Sequence, residues 1–481
     1  MTEGVSHDEH QHIAAGMLWG RDGLLPYRDF PLFHTPYLTF VYGWLFRLTD
    51  YPLLAARLFS AGCATAMVAL IGAVAFRAFR DRGTKVAWRV AMAVTGLCVV
   101  SSLFTGTTGR AWNQEPSTLL AVGAFVLLGH GLDSARRGWL LASGALLGLA
   151  IGMRITYAPL IAPLGLATLL GAQAWGVRLR AAMTFSAGLL AALAGVFVLY
   201  AKAPEAFIFG NFEFAQASID YRMATGEPRT MTLGKKIRFL WKEIVRGDAG
   251  FMLATLLPVL TTLWLAWKKR VTVPAPLRRF ALALPFVLWG SMAPSPVFDQ
   301  YFYPLVPFLA LAGIYSLAAL PVGSRAWLWN WRAGLAGLVL AVGSAVRTET
   351  FDGLDHLFQP HKWATFEAHR EGIALREHLP SGRVLTLAPL LPLEAGLRID
   401  PAFAPGPFAW RVADYIDPAK ARRLGIVTPA TLAEHLAAVP PDGVLTGAEE
   451  TGEAALVDYA RARGFIAHPL EEEQRIWAPP R

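Results

Sequence analysis

The chain has 481 residues, of which 54% are hydrophobic and only 16% charged, with a mean hydropathy of +0.40. That composition excludes both a disordered chain and a wholly soluble enzyme. The net charge of +9 is no nucleic-acid signal: residues 1–346 hold 30 Lys+Arg against 16 Asp+Glu, residues 347–481 hold 14 against 19, and much of the basic excess sits in short turns between apolar runs.

Residues 1–50 begin with His7-Asp8-Glu9-His10-Gln11-His12, which opens an amphipathic stretch ending near Arg21. Leu25-Pro26-Tyr27-Arg28-Asp29-Phe30 and His34-Thr35-Pro36 follow, and the short apolar stretch 35–48 suits a helix lying at a membrane interface. Ten apolar stretches then read as bilayer crossings, at 52–77, 88–104, 116–131, 139–152, 157–172, 181–201, 249–267, 279–293, 301–319 and 326–345. For the fourth and fifth, 138–171 also admits one long broken helix or a re-entrant pair. Cys63 and Cys98 both fall inside apolar runs, so no disulfide framework reveals the compartment.

Orientation follows from the turns, because basic residues resist transfer across the membrane. One class of turns carries Arg77, Arg80, Arg82, Lys85 and Arg89, then Arg136 and Arg137, Arg178 and Arg180, Lys268 to Arg270 with Arg278 and Arg279, and Arg325 with Arg332. The short turns of the other class carry only Arg110 and Arg154. The long loop 202–248 holds eight basic residues, but long loops are weak topological guides. The first 50 residues, the Arg110 turn, the long loop and the tail 347–481 are therefore expected outside the cytoplasm, around a transmembrane domain at 51–346. No hydrophobic helix precedes residues 1–50 to carry them across, so either the amino terminus translocates unaided or a first helix lies upstream of Met1, and the second is the expectation.

Beyond residue 347, the helical stretch 361–379 alternates with β-rich runs such as Arg383-Val-Leu-Thr-Leu and Gly443-Val-Leu-Thr, which reads as a small α/β domain. It carries no Gly-rich phosphate loop, nucleophile elbow or metal-ligand spacing. Its histidines, at 356, 361, 369, 378, 435 and 468, read as surface positions.

Acidic residues avoid the apolar cores, so chemistry is sought at outer helix ends. Asp8 is either a helix N-cap or a carboxylate facing a cavity at the membrane surface, where it can take a proton from a hydroxyl nucleophile. Glu9 either positions Asp8 or a substrate, or favours the positive end of the helix. His7, His10 and Glu9 within one turn admit a divalent cation, though His-rich helix starts are commonly just solvated. Glu115, one residue before the helix-opening Pro116, is a cap or a second acidic wall of the same cavity. Arg154 interrupts an apolar run and either snorkels or binds an anionic lipid phosphate. Lys235-Lys236-Ile-Arg238-Phe-Leu-Trp241-Lys242 fits an interfacial helix near lipid phosphates, and Tyr301 with Tyr303 fits an aromatic belt better than an acceptor groove.

Taken in order, Asp8-Glu9, then Gly-x-Leu-Pro-Tyr-Arg-Asp, then His34-x-Pro36, then Gly109-Arg-Ala-Trp-Asn-Gln-Glu-Pro resemble the GT-C glycosyltransferases, in particular the protein O-mannosyltransferase and aminoarabinose-transferase branch. The resemblance covers roughly residues 7–320. It implies an all-α polytopic fold of about ten transmembrane helices plus interfacial helices, carrying a soluble α/β domain at its carboxy end. It also implies an inverting transfer of a sugar from a polyprenyl-phosphate donor to a lipid, glycan or protein hydroxyl, at the outer face of the inner membrane. Carried over by position, Asp8 is the base, with Glu9 beside it and Glu115 as the second-loop acid. The substrate contacts become Tyr27, His34, Arg110, Arg154 and Lys235, with the cations stabilising the departing phosphate. Two departures stand out: the helix expected before the Asp-Glu pair is absent, and Asn113 and Gln114 flank one carboxylate where an acidic pair is expected, which weakens any metal requirement. A lipid or glycan transporter is the competing reading, and it expects charges near the bilayer midplane.

Overall fold

The computed structural model describes residues 4–170, 173–226, 232–347, 356, 358–447, 452–470 and 474–480. The end of the expected fifth crossing (171–172), part of the long loop (227–231) and the stretch just past the expected domain boundary (348–355) lie outside the described residues.

Helix α1 (His7–Asp22) begins at Ser6, whose N–H donates to Glu9 Oε2 at 2.9 Å, and stops at Gly23, which at φ 70° adopts the left-handed conformation that a residue without Cβ takes freely. It packs against α2 (Tyr37–Leu45) with Gly20 and Gly43 backbone to backbone, leaving room for no side chain at either. Residues 9–16 of α1 are buried, so this helix is walled in rather than laid on an interface.

The membrane part continues through α3 (Pro52–Phe79), α4 (Thr84–Val99), α5 (Ser102–Thr105), α6 (Gln114–Ser134), α7 (Arg137–Met153), α8 (Ile161–Leu169) and α9 (Trp175–Lys202). Then come α10 (Pro204–Ile208), α11 (Phe214–Ala224), α12 (Leu233–Phe239), α13 (Ala249–Trp267), α14 (Ala275–Met292), α15 (Leu305–Ala319) and α16 (Arg325–Arg347). Among the described residues, five helical segments are long and apolar enough to cross a bilayer: Pro52–Arg82, Gln114–Ser134, Trp175–Lys202, Ala249–Trp267 and Asp299–Ala319. The other expected crossings are helical but shorter or less apolar, so length and composition alone mark five of the ten expected crossings. Trp88, Trp175, Trp264, Trp267 and Trp289 are exposed, an apolar surface that a bilayer covers and water would not tolerate.

The ambiguous region 138–171 resolves into an out-and-back pair. Gly144 lies against Phe185 and Leu189, and Gly148 against Leu189 and Ala192, so α7 and α9 advance in the same direction. The segment between them, a 3₁₀ turn (Ile155–Leu160) and α8, must therefore run back. Glycines make that contact possible, because a Cβ at Gly144 or Gly188 would collide with the facing backbone.

In the tail, α17 (Ala364–His378) leads into a five-stranded sheet of order β2-β1-β3-β5-β4. β1 (Arg383–Leu385) is parallel to β2 (Arg398–Ile399) and β3 (Gly443–Thr446), while β5 (Arg475–Ala478) is antiparallel to β3 and to β4 (Ile466–Pro469). Helices α18 (Leu390–Glu394), α19 (Pro407–Val412), α20 (Pro418–Arg423), α21 (Leu432–Ala438) and α22 (Ala454–Ala462) complete it. Two of its histidines are not plain surface positions: His369 Nδ1 meets Glu394 Oε2 at 2.8 Å and His435 Nε2 meets Asp400 Oδ2 at 2.7 Å. The tail closes on the start of the chain. Glu394 Oε1 accepts from Leu53 N at 2.8 Å, His10 Nδ1 accepts from Leu390 N at 3.3 Å, and Arg21 donates to the Leu397 carbonyl at 3.0 Å.

Candidate active site

The start of α1, the segment 33–35, the turn 112–114, the break at Arg154, α11 and the tail's Phe408 and Arg411 together enclose a cavity of 460 Å³. Asp8, His34 and Arg154 line it; Glu9, Glu115, Arg110, Lys235 and Tyr27 do not.

Asp8 is the second residue of α1, and Ser6 holds the capping position that a bland reading gave to Asp8. Its carboxylate opens onto the cavity but is ringed by protein, and Gln11 Nε2 donates to Oδ1 at 3.2 Å. Burial raises its pKa above the ordinary aspartate range, against the opposing pull of the Arg154 charge and the Gln11 hydrogen bond.

Arg154 sits where α7 gives way to an extended residue (φ −154°, ψ 114°), so the break in the backbone, not a helical rotamer, sets the direction of its side chain. Nε donates to Thr156 Oγ1 at 3.0 Å and Nη1 to Asn113 Oδ1 at 2.9 Å, while the guanidinium lies 5.1 Å from the Tyr301 ring centroid. Asn113 is oriented in turn by donating from Nδ2 to the Met153 carbonyl at 3.1 Å. Nη2 makes no hydrogen bond among the described residues and remains for a ligand oxygen.

His34 stacks on His12 at 4.7 Å. Burial, then the Arg154 charge, pushes the His34 pKa down to about 3, and burial lowers that of His12 as well, so both rings are neutral at neutral pH. Tyr301 is half-buried and lines the cavity, while Tyr303 is wholly buried, which removes Tyr303 from the expected aromatic belt: a side chain with no exposed surface cannot meet headgroups.

The remaining expected residues have other surroundings. Glu9 turns away into Arg57, whose Nε and Nη2 reach its two oxygens at 2.8 and 2.7 Å, and it also accepts from Ala111 N at 2.7 Å. With Glu9 engaged there and His10 bonded to Leu390, the His7, Glu9, His10 set does not converge, and no group of three or more His, Cys, Asp or Glu side chains does so among the described residues. Glu115 is buried beneath the turn, with Oε1 accepting from Gly109 N at 2.8 Å and Oε2 without a partner among the described residues. Arg110 lies over the Trp112 ring, 5.5 Å from its centroid. Lys235 is exposed, whereas its neighbour Lys236 is buried and caps the end of α14, donating to the carbonyls of Met292 and Pro294 at 2.7 and 2.8 Å. Tyr27 is buried with its hydroxyl bonded to the His34 carbonyl, behind the cavity wall.

Sequence reasoning assigned no role to Arg57, Gln11, His12, Arg222 or Arg411. An arginine inside an expected crossing was the available signal for Arg57; Arg222 and Arg411 reach the cavity from segments distant in sequence, which no local pattern announces. A larger cleft of 810 Å³ separates Tyr27 to Pro31 from the tail, but most of its charges are paired within the protein, His435 with Asp400, Arg422 with Glu434 and Arg423 with Glu205. The smaller cavity keeps the unspent Arg154 donor.

No family model and no curated protein matches the sequence. Among solved structures, ArnT from Cupriavidus metallidurans bound to undecaprenyl phosphate is similar over 100% of this chain and 96% of that chain, with a TM-score of 0.60 at 14% identity. The chain has the ArnT fold. The apo state of ArnT gives a TM-score of 0.57 over the same shares, also at 14% identity. The oligosaccharyltransferase of Archaeoglobus fulgidus in its apo form follows at 0.48 and 11% identity, over 92% of this chain and 66% of that one, too distant to carry an argument. The ArnT fold agrees with the GT-C resemblance read from the order of the motifs, and it spans the tail as well as the membrane part.

Proposed function

We propose that this chain is a membrane glycosyltransferase that moves a sugar from a polyprenyl-phosphate donor to a hydroxyl acceptor, at the outer face of the inner membrane. The acceptor is a lipid, glycan or protein hydroxyl. The observation that carries the reading is the meeting of Asp8 and Arg154 on one cavity within an ArnT fold.

The chemistry needs little else. The acceptor oxygen attacks the anomeric carbon opposite the phosphate, the bond from that carbon to the phosphate oxygen breaks with its electron pair, and the acceptor proton passes to Asp8. One displacement inverts the anomeric configuration. A lipid phosphate leaves as an anion without a general acid, and the Arg154 guanidinium, held by Asn113 and Thr156, meets the growing charge. A carboxylate whose pKa is raised by burial is a stronger base than one in water. Arg154 lines the cavity beside Asp8 with an Nη2 that makes no hydrogen bond among the described residues, which suits a phosphate oxygen.

The test is single-turnover transfer from labelled polyprenyl-phosphate sugars in membranes containing the full chain. Asp8→Asn is expected to slow transfer by about 10²- to 10⁴-fold; transfer at the wild-type rate rejects Asp8 as the base.

A further inference from the structure

We infer that the 810 Å³ cleft between the first loop and the tail is a second binding site, which takes a saccharide bearing a carboxylate or a phosphate and holds that oxyanion on Arg383. The inference goes beyond the donor reading and does not depend on it, because this cleft and the Asp8 cavity share no lining residue.

Three carboxylates line the cleft, and each already faces a cation of the protein. Asp29 meets Arg28 at 2.7 Å, Glu434 meets Arg422 at 3.3 Å, and Asp400 meets the His435 ring at 2.7 Å. Arg423 turns to Glu205 at 2.8 Å. Arg383 is left over: its backbone N–H donates to Asp442 Oδ2 at 2.8 Å, but its guanidinium has no hydrogen bond or ion pair among the described residues. The Arg383 side chain is half-buried, so it keeps surface that a ligand in the cleft can reach. Strand register adds a second cation. Arg383 pairs with Arg398 across the parallel strands β1 and β2, which puts both residues on one face of the sheet, and the exposed Arg398 side chain also lacks a partner among the described residues. Like charges directly across two strands repel, and a bound oxyanion relieves that repulsion while offering a guanidinium the two-point contact it favours.

The rest of the lining decides what carries the anion. Pro401, Ala402, Ala438 and Val439 keep apolar surface open, while Glu434 Oε1 and His435 Nδ1 have no hydrogen bond among the described residues and stand ready for hydroxyl groups. Small apolar patches between polar groups match a sugar, whose C–H faces alternate with hydroxyls. A lipid chain needs a continuous apolar floor, which the ion pairs interrupt, and a lone ion would leave most of the volume unfilled. Tyr27 closes the cleft on the side of the reacting cavity: its hydroxyl donates to the His34 carbonyl and accepts from Asn211 Nδ2 at 3.2 Å, and both of those residues line the Asp8 cavity. One strap, residues 27–34, thus divides the two sites, so the cleft suits a part of a saccharide remote from any reacting hydroxyl.

The experiment measures binding of four soluble probes to the full chain in nanodiscs: a disaccharide carrying one uronate, the same disaccharide carrying one phosphate, the uncharged disaccharide, and inorganic phosphate. At least one charged disaccharide is expected to bind about tenfold tighter than both the uncharged disaccharide and inorganic phosphate, and whichever binds tighter identifies the acid the cleft takes. Arg383→Met is expected to abolish the preference for charge, and Arg398→Ala, at an exposed position, to lower it about threefold. Binding of undecaprenyl phosphate should be unchanged in both variants. Equal binding of charged and uncharged disaccharides to the wild-type chain overturns the inference, and so does a preference untouched by both substitutions in folded protein. Inorganic phosphate binding as tightly as the charged disaccharides overturns the assignment to a saccharide. If Arg383→Met fails to fold, Arg398→Ala and the four-probe comparison on the wild-type chain still decide. Failure of undecaprenyl phosphate to bind overturns the donor reading and leaves the cleft assignment standing.

Discussion

Glu9 and Arg57 form a two-point ion pair with both side chains almost wholly buried, Arg57 on a membrane helix and Glu9 beside the proposed base. Glu9 also accepts from Ser6 N and Ala111 N, so one carboxylate ties the start of α1, the body of α3 and the turn at Ala111 together. Burial alone would push its pKa up, but the Arg57 hydrogen bond and charge and the two backbone donors outweigh burial and hold it below the ordinary glutamate value. Removing one partner leaves an uncompensated buried charge. Arg57→Met is therefore expected to destabilise by about 3 to 5 kcal/mol, read as a lowered Tm in detergent.

The same pair sets a pH dependence. A depressed carboxylate pKa contributes stability that is present above its unfolded value and lost as pH falls through the folded value. Thermal melts at decreasing pH should show wild-type stability falling below about pH 4.5, with that part of the fall absent in Arg57→Met, where the depression is removed. An identical acid limb in both proteins rejects the linkage.

Asp8 has the opposite sign. Its raised pKa means that the fold favours the protonated acid, so the ionised form costs stability as pH rises through the folded value. Asp8→Asn should thus keep or raise Tm at pH 7 while losing transfer, with the Tm gap closing at low pH, where the acid is protonated in both folded and unfolded chains. Activity of the wild-type chain should fall as pH drops through that raised pKa, at a pH above the ordinary aspartate range. A lower Tm for Asp8→Asn at pH 7 contradicts the assignment of a desolvated base.

Arg154 works through geometry as well as charge. Lysine keeps the charge but gathers its donors on one nitrogen, which cannot replace a planar guanidinium that reaches Thr156 through Nε and Asn113 through Nη1 with Nη2 aside. Arg154→Lys is expected to weaken binding of undecaprenyl phosphate by about tenfold or more. Asn113→Ala, which frees the guanidinium, should lower kcat more than it raises KM if alignment of the phosphate in the transition state is what Asn113 secures.

Much of the architecture was legible because apolar length and turn chemistry are local properties. The helical membrane part and the parallel strands at 383 and 443 follow from such patterns, whereas the choice of an out-and-back pair around Arg154 over one broken helix rests on glycine contacts between α7 and α9 that lie far apart in sequence. At the site, Asp8 and Arg154 stood out as charges at apolar margins. Glu9 and Asp8 are adjacent in sequence yet face opposite environments, because consecutive helical residues point about 100° apart. Nothing local reveals which of the two meets Arg57, and the tail's Arg411 reaches the cavity only through the tertiary fold.

The tail should matter to catalysis through its docking, and Glu394 is the point to test. Its Oε1 takes the N–H of Leu53 at the first turn of α3, a donor with no partner inside the helix, and its Oε2 pairs with His369, so one buried carboxylate joins α17, α18 and α3. Glu394→Ala strands that N–H and is expected to cost about 1 to 3 kcal/mol. The tail carries Phe408 and Arg411 into the cavity wall, so loosened docking should expose the site as well as the seam. Hydrogen exchange should accelerate in α18 and at the start of α3, and donor affinity should fall with it. Faster exchange with unchanged donor affinity would separate the tail from the site, leaving Arg411 outside the binding machinery.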